Sequence, residues 1–171
     1  LGALAKHDAR PFAADRDGLV LGEGAAVVVL ETDETAKAPV LAELLGTGLS
    51  SDGTHMTAPD REGRGVSAAV ERALSDAGVN PVDVDMVSVH GTATVFNDQM
   101  EAKALHRSFG GRPLPFHCVK HAIGHTLGAA GAIESSLIVY CLDRGVRPPP
   151  VTNVAPDCPL RPSPGAPAPP T

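Results

Sequence analysis

The sequence predicts an α/β fold with a mixed, mainly parallel sheet, and three observations carry that prediction. Apolar runs of strand length alternate with segments of helical spacing, in the order strand, strand, helix, strand, helix, strand, helix. Alternation of this kind gives a sheet with helices packed against its faces. Two of the predicted strands run straight into His90 and Lys120, and His125 follows five residues on. In open sheets, ligands bind beyond the carboxyl ends of the strands. The third observation is the stretch 116–144, where a β-prone run leads to Lys120, Gly124-His125 and a long apolar segment broken by Glu134. Gly124, Gly128 and Gly131 each cost about 1 kcal/mol relative to Ala in a helix, which predicts close approach of another backbone or a ligand.

Each element has its own signal. Residues 1–14 are irregular, and Asp15-Arg16-Asp17-Gly18 is a turn. Residues 18–31 read as a strand covered on both faces, because 25–30 are continuously apolar. Gly22-Glu23-Gly24 precedes that run without the GxGxxG spacing of a phosphate loop. Residues 40–49 read as a bent strand with Gly46 and Gly48 at the bend, and 50–59 as a polar loop carrying His55 and Thr57. Residues 64–77 have helical spacing with Gly78 as the stop. Residues 84–89 form a buried strand ending at His90-Gly91-Thr92. Asn97 is the expected N-cap of a helix over 98–109, with Met100, Ala104 and Leu105 inward. A strand over 115–119 and an apolar helix over 126–142 follow. That last segment falls short of the roughly 20 apolar residues of a membrane span, and Glu134, Ser135 and Ser136 would lie near its middle. It reads as a core helix, and no membrane span is expected.

With 171 residues, the chain is long enough for one domain with a real core. Aromatic residues make up only 3%, so that core is aliphatic. A net charge of −6 with no basic cluster speaks against nucleic acid or an anionic membrane as partner. Three cysteines, Cys118, Cys141 and Cys158, fit neither a disulfide framework nor a zinc site; reduced thiols and a cytoplasmic location are expected. The chain begins at Leu1 and reads as a piece of something longer. Prolines crowd its end, so 1–160 are taken as the domain and 161–171 as a disordered tail.

The residues then meet a family. H-G-T-A-T-x-x-x-D-x-x-E-A (90–102), followed by K-x-x-x-G-H-T-L-G-A-A-G-A-x-E (120–134), resembles the carboxyl-terminal half of a β-ketoacyl-acyl carrier protein synthase, an elongating condensing enzyme of the thiolase superfamily. Residues 10–31 are similar to the segment after the family's nucleophile region, and 50–59 to its pantetheine-side loop. The resemblance covers roughly 10–160 and implies part of a thiolase-like fold, a carboxyl-terminal βαβαβα repeat with helices on both faces.

It also implies a reaction. A cysteine thiolate accepts an acyl chain, malonyl-carrier protein loses CO₂, and the carbanion attacks the acyl thioester. His90 and His125 would donate hydrogen bonds to the developing enolate oxygen, with Lys120 and Glu134 as the charged pair behind them. Thr92, Thr94 and Thr57 would bind the phosphopantetheine arm, while Asp98 and Glu101 would brace the histidine loop and cap its helix. The implied partners are acyl carrier protein with its malonyl and acyl thioesters, and a second subunit in a homodimer or a ketosynthase/chain-length-factor-like heterodimer. No metal or separate cofactor is implied, since phosphopantetheine arrives on the carrier. The pathway the resemblance implies is fatty-acid or polyketide synthesis, with aryl-polyene synthesis as one form of the latter.

Departures from the family pattern bear on activity. None of the three cysteines has the strand-to-helix setting of the family's nucleophile, and the family's Gly-Phe-Gly-Gly loop is missing. Val95 stands where proline is common, and His121-Ala122 where a small polar pair is. The chain alone is therefore expected to be inactive. A non-catalytic, carrier-binding subunit of a ketosynthase assembly is the alternative reading. A metal hydrolase using His55, His90 and His125 has no ligand spacing to support it.

Overall fold

The computed structural model describes residues 3–55, 58–148 and 150–162. Its centre is a small parallel sheet in the order β1 (Val87–Ser88), β2 (Pro115–His117), β3 (Arg161–Pro162), with Val87 opposite Phe116 and Pro115 opposite Arg161. Around it lie α1 (Arg64–Ala77), α2 (Val95–Ser108), the short α3 (Lys120–Ile123) and α4 (Ala130–Arg144). The core gathers Phe12, Val89, Leu105, Phe109, Leu114, Phe116, Val151 and Leu160 around β2. Phe12 and Phe116 meet edge to face with ring centroids 4.9 Å apart. Full burial of one such ring contributes about 1.5–3 kcal/mol, so β2 is fixed by its side chains more than by its few ladder bonds.

The helices are placed by local chemistry. α1 stops at Gly78, whose φ of 64° is left-handed and whose N–H returns to the carbonyls of Leu74 and Ser75. It packs on α2, where the Ser67 hydroxyl reaches the Ala104 carbonyl. α2 begins three residues earlier than its sequence pattern indicates: Thr94, not Asn97, is the N-cap, and the Asn97 amide instead donates to Asp98 Oδ1. The expected single helix over 126–142 is broken. α3 ends at Gly124, His125 is extended, and a 3-10 turn over Leu127–Ala129 leads into α4. Of the three glycines expected to admit a close neighbour, Gly124 does so, since a Cβ there would strike Gly22. Gly128 and Gly131 face open space.

Two expected strands do not form. Residues 23–50 turn over 33–35 and have no ladder partner among the described residues. Their pattern is that of sheet residues, yet the apolar side chains stand in solvent, with Val27 88% and Leu49 85% exposed. Gly46 and Gly48 do not mark a bulge; they let this segment lie against Ala69, Ala73 and Ala77 of α1, where the Thr47 N–H is held by Asp76. At the other end, Leu160 is buried and Arg161–Pro162 add the edge strand at the point where the composition suggests a tail. An edge is where proline is tolerated.

The exposed apolar run has a consequence in solution. Apolar patches of this extent drive association, so the isolated chain is expected to bind an apolar-surface dye and to sediment heavier than a monomer. A monodisperse, dye-negative monomer would contradict this.

Candidate active site

His90 follows β1 and is held through its backbone. The His90 and Gly91 N–H groups donate to the two oxygens of Glu101, at 2.6 and 2.8 Å, and Lys120 Nζ donates to the His90 carbonyl at 2.5 Å. Thr92 N–H donates to Asp98 Oδ1, while Phe12 N–H donates to Asp98 Oδ2 at 2.8 Å. Asp98 therefore joins the loop to a residue 86 positions earlier and caps nothing. Ala93, fully buried, has a φ of 63°, and Phe12 has 62°. Left-handed backbone at non-glycine residues persists only where the surroundings hold it.

His125 is placed by a different device. Its N–H donates to the Val20 carbonyl at 2.7 Å, and its own carbonyl receives the Gly22 N–H at 3.0 Å. Gly22 is needed there, because a Cβ would strike the Ile123 carbonyl. The ring nitrogen Nδ1 accepts the Leu127 N–H at 3.0 Å. That bond leaves the proton on Nε2, so the exposed edge of the ring is a donor.

The two rings meet edge to face with centroids 5.1 Å apart. Behind them Lys120, only 2% exposed, forms an ion pair with Glu134. Thr92 and Thr94 share a hydroxyl–hydroxyl bond of 2.9 Å beside the loop. Thr57 lies outside the described residues. The structure thus brings together His90, His125, Lys120, Glu134, Thr92, Thr94, Asp98 and Glu101. Phe12, Arg16 and Gly22 are additional positioning groups: Arg16 approaches Asp98 at 3.9 Å and donates to the Val95 carbonyl at 3.0 Å. The Gly22-Glu23-Gly24 spacing was visible in the sequence, but its use against His125 was not.

Burial, then the Lys120 charge, then His125, push His90 down to about 4 from 6.5. His125 is lowered by the same burial and the same ammonium. Both rings are neutral donors near neutrality. As pH falls through 6.5 the unfolded His90 takes up a proton and the folded one does not until about 4. The unfolded state then binds more protons, so this group makes the fold less stable across that window. Glu101 has the opposite sign: burial pushes it up to about 7 from 4.5, so its folded form holds a proton over that range and gains stability as pH falls. An NMR titration of His90 is expected to give a midpoint near 4; an ordinary midpoint of 6.5 would contradict the assigned environment.

The cysteines are not activated. Cys118 is fully buried below the loop, donates to the Gly91 carbonyl at 3.3 Å, and is pushed up to about 12 by burial. Cys141 and Cys158 are raised by the same cause. Among the described residues no group of His, Cys, Asp and Glu could hold a metal ion, and no helix is long and apolar enough to cross a membrane. A cavity of about 350 Å³ between Ser50–Asp52 and α1 includes none of the site residues, and its Asp60 and Arg64 pair with each other.

The chain is similar to known proteins in both sequence and fold. Residues 41–154 match the family described as "Beta-ketoacyl synthase, C-terminal domain", and residues 1–36 match "Beta-ketoacyl synthase, N-terminal domain". The 3-oxoacyl-[acyl-carrier-protein] synthase 2 of Mycobacterium tuberculosis is 44% identical over 143 residues, 82% of this chain and 34% of that protein. The ishigamide ketosynthase/chain length factor structure superposes with a TM-score of 0.87 at 41% identity, covering 93% of this chain and 40% of that one. A type II polyketide acyl-carrier protein in complex with its ketosynthase gives 0.87 at 33% identity, covering 93% and 42%. The chain spans about a third of the length of the curated relative it matches.

Proposed function

Because the chain belongs to the β-ketoacyl synthase family, we propose that it is the histidine-bearing part of a β-ketoacyl-acyl carrier protein synthase. The observation that carries this is the His90–His125 pair, two neutral rings 5.1 Å apart in front of the Lys120–Glu134 ion pair.

The chemistry follows from the donors. When malonyl thioester loses CO₂, the C–C bonding pair moves into the thioester carbonyl and gives an enolate. Two fixed N–H donors stabilise that oxygen more than they stabilise the ground-state carbonyl. The enolate carbon then attacks an acyl thioester carbonyl and expels a cysteine thiolate. That cysteine lies outside this chain, since Cys118, Cys141 and Cys158 are buried and held protonated. Thr92 and Thr94 offer hydroxyls to the pantetheine arm of an acyl carrier protein, the partner that delivers both thioesters. Fatty-acid and polyketide substrates share this step.

The test joins the chain in frame to the cysteine-bearing part of a related synthase and looks for 3-ketoacyl product by mass spectrometry. Product is expected from the joined protein and none from the 171-residue chain alone. Product from the chain alone, or a folded joined protein that makes none, would refute the assignment.

A further inference from the structure

The backbone polar groups of His90 and Gly91 are held from two sides. Both N–H groups go to Glu101 of α2, at 2.6 and 2.8 Å. Both carbonyls go to side chains that follow β2: Lys120 Nζ donates to His90 at 2.5 Å, and the Cys118 thiol donates to Gly91 at 3.3 Å. The sulfur also lies 3.9 Å from the His90 carbonyl, so it sits under both peptide groups. Cys118 is the member of this clamp to which the condensation chemistry gives no part.

A buried cysteine commonly packs as a small apolar residue, and the surroundings of this one ask for more. Burial pushes the thiol up to about 12, so the sulfur keeps its proton and can donate it. Gly91 is shaped to receive it. Its φ of 48° is left-handed, and a Cβ there would come within 2.7 Å of Cys118 Sγ and 3.0 Å of the Phe12 ring. The loop therefore passes between sulfur and ring with no room to move toward either. The Gly91 carbonyl is itself buried. A buried acceptor that loses its donor costs more than the bond gains, so without the thiol this peptide is driven to turn in search of a partner. His90 is the residue joined to it.

We infer that Cys118 is a positioning residue for condensation: its thiol fixes the Gly91 carbonyl and through it the aim of the His90 ring. It touches no substrate and acts through His90 alone. The inference rests on the reading of the chain as the histidine-bearing part of a condensing enzyme. Aim matters because a donor stabilises a developing oxyanion only when it is held at the position that oxygen will occupy.

Cys118→Ala, Cys118→Ser and, as a control, Cys141→Ala of α4 are placed in a full-length synthase carrying this chain. Acylation, CO₂ release from malonyl-carrier protein and condensation are measured for each, with denaturant melts to follow stability. Cys118→Ala is expected to lower kcat for CO₂ release and condensation roughly threefold to tenfold, the span of one hydrogen bond. Acylation and the KM for malonyl-carrier protein should stay at the parent's values. Cys118→Ser restores a donor in a smaller side chain and should recover most of the lost kcat, whatever it costs in the melt. Cys141→Ala should leave every rate unchanged. Equal kcat for the Ala and Ser variants would reduce Cys118 to packing and overturn the inference while leaving the histidine chemistry intact. A Cys118→Ala enzyme that turns over like its parent, or one that loses acylation as much as CO₂ release, overturns it in the same way. A parent synthase that makes no product overturns the inference together with the reading beneath it.

Discussion

Replacing Lys120 with Ala in a full-length synthase carrying this chain is expected to cost about 3–5 kcal/mol of stability and to remove condensation. The ammonium is 2% exposed, pairs with Glu134 and donates to the His90 carbonyl. Removing it leaves a carboxylate and a carbonyl facing an emptied, partly dry space, and an uncompensated charge there costs more than the intact pair ever contributes. The double substitution Lys120→Met with Glu134→Leu removes both charges. It should recover most of the stability and none of the activity, since the His90 carbonyl then loses the ammonium that holds it. Denaturant melts and product assays on the two variants check this. A Lys120→Ala protein as stable as its parent would show that Glu134 has other support.

The second large effect is kinetic. His90→Ala and His125→Ala are each expected to slow condensation by about 10²–10³. Both rings are neutral near pH 7, and the Leu127 N–H on Nδ1 commits His125 to donation from Nε2. The double variant should lose less than the product of the two single losses, because two donors on one oxygen act as a unit. Steady-state condensation rates at saturating malonyl-carrier protein measure all three. A variant within threefold of its parent, roughly 0.7 kcal/mol, would remove that histidine from the reaction.

Parts of the site were plain in the sequence because they are local. His90-Gly91-Thr92 directly after an apolar run and Gly124-His125 after Lys120 need only strand periodicity and spacing to stand out. The groups that hold them are not local: Phe12 reaches Asp98 and Gly22 reaches His125 through backbone N–H groups, which have no residue-type signature. The helix start moved from Asn97 to Thr94 because Asp98, the residue after Asn97, is bonded to the histidine loop and to Phe12. Residues 25–30 and 40–49 misled in the opposite direction. Their composition describes a covered sheet, and among the described residues no strand covers them. Composition records the environment a segment is suited to, while ladder bonds need a partner to be present. Leu160 and Arg161, among prolines, show the converse: a proline-rich stretch still supplies an edge strand when one buried leucine anchors it.

The central claim is that the paired histidines serve decarboxylation and not acyl transfer. It is tested by splitting the reaction in a full-length synthase carrying His125→Ala. Acylation is read by trapping labelled acyl-enzyme, and decarboxylation by CO₂ release from malonyl-carrier protein. The account predicts acylation close to the parent's and CO₂ release reduced by about 10²–10³. Unchanged CO₂ release with acylation lost would place His125 in the other half-reaction and contradict the account.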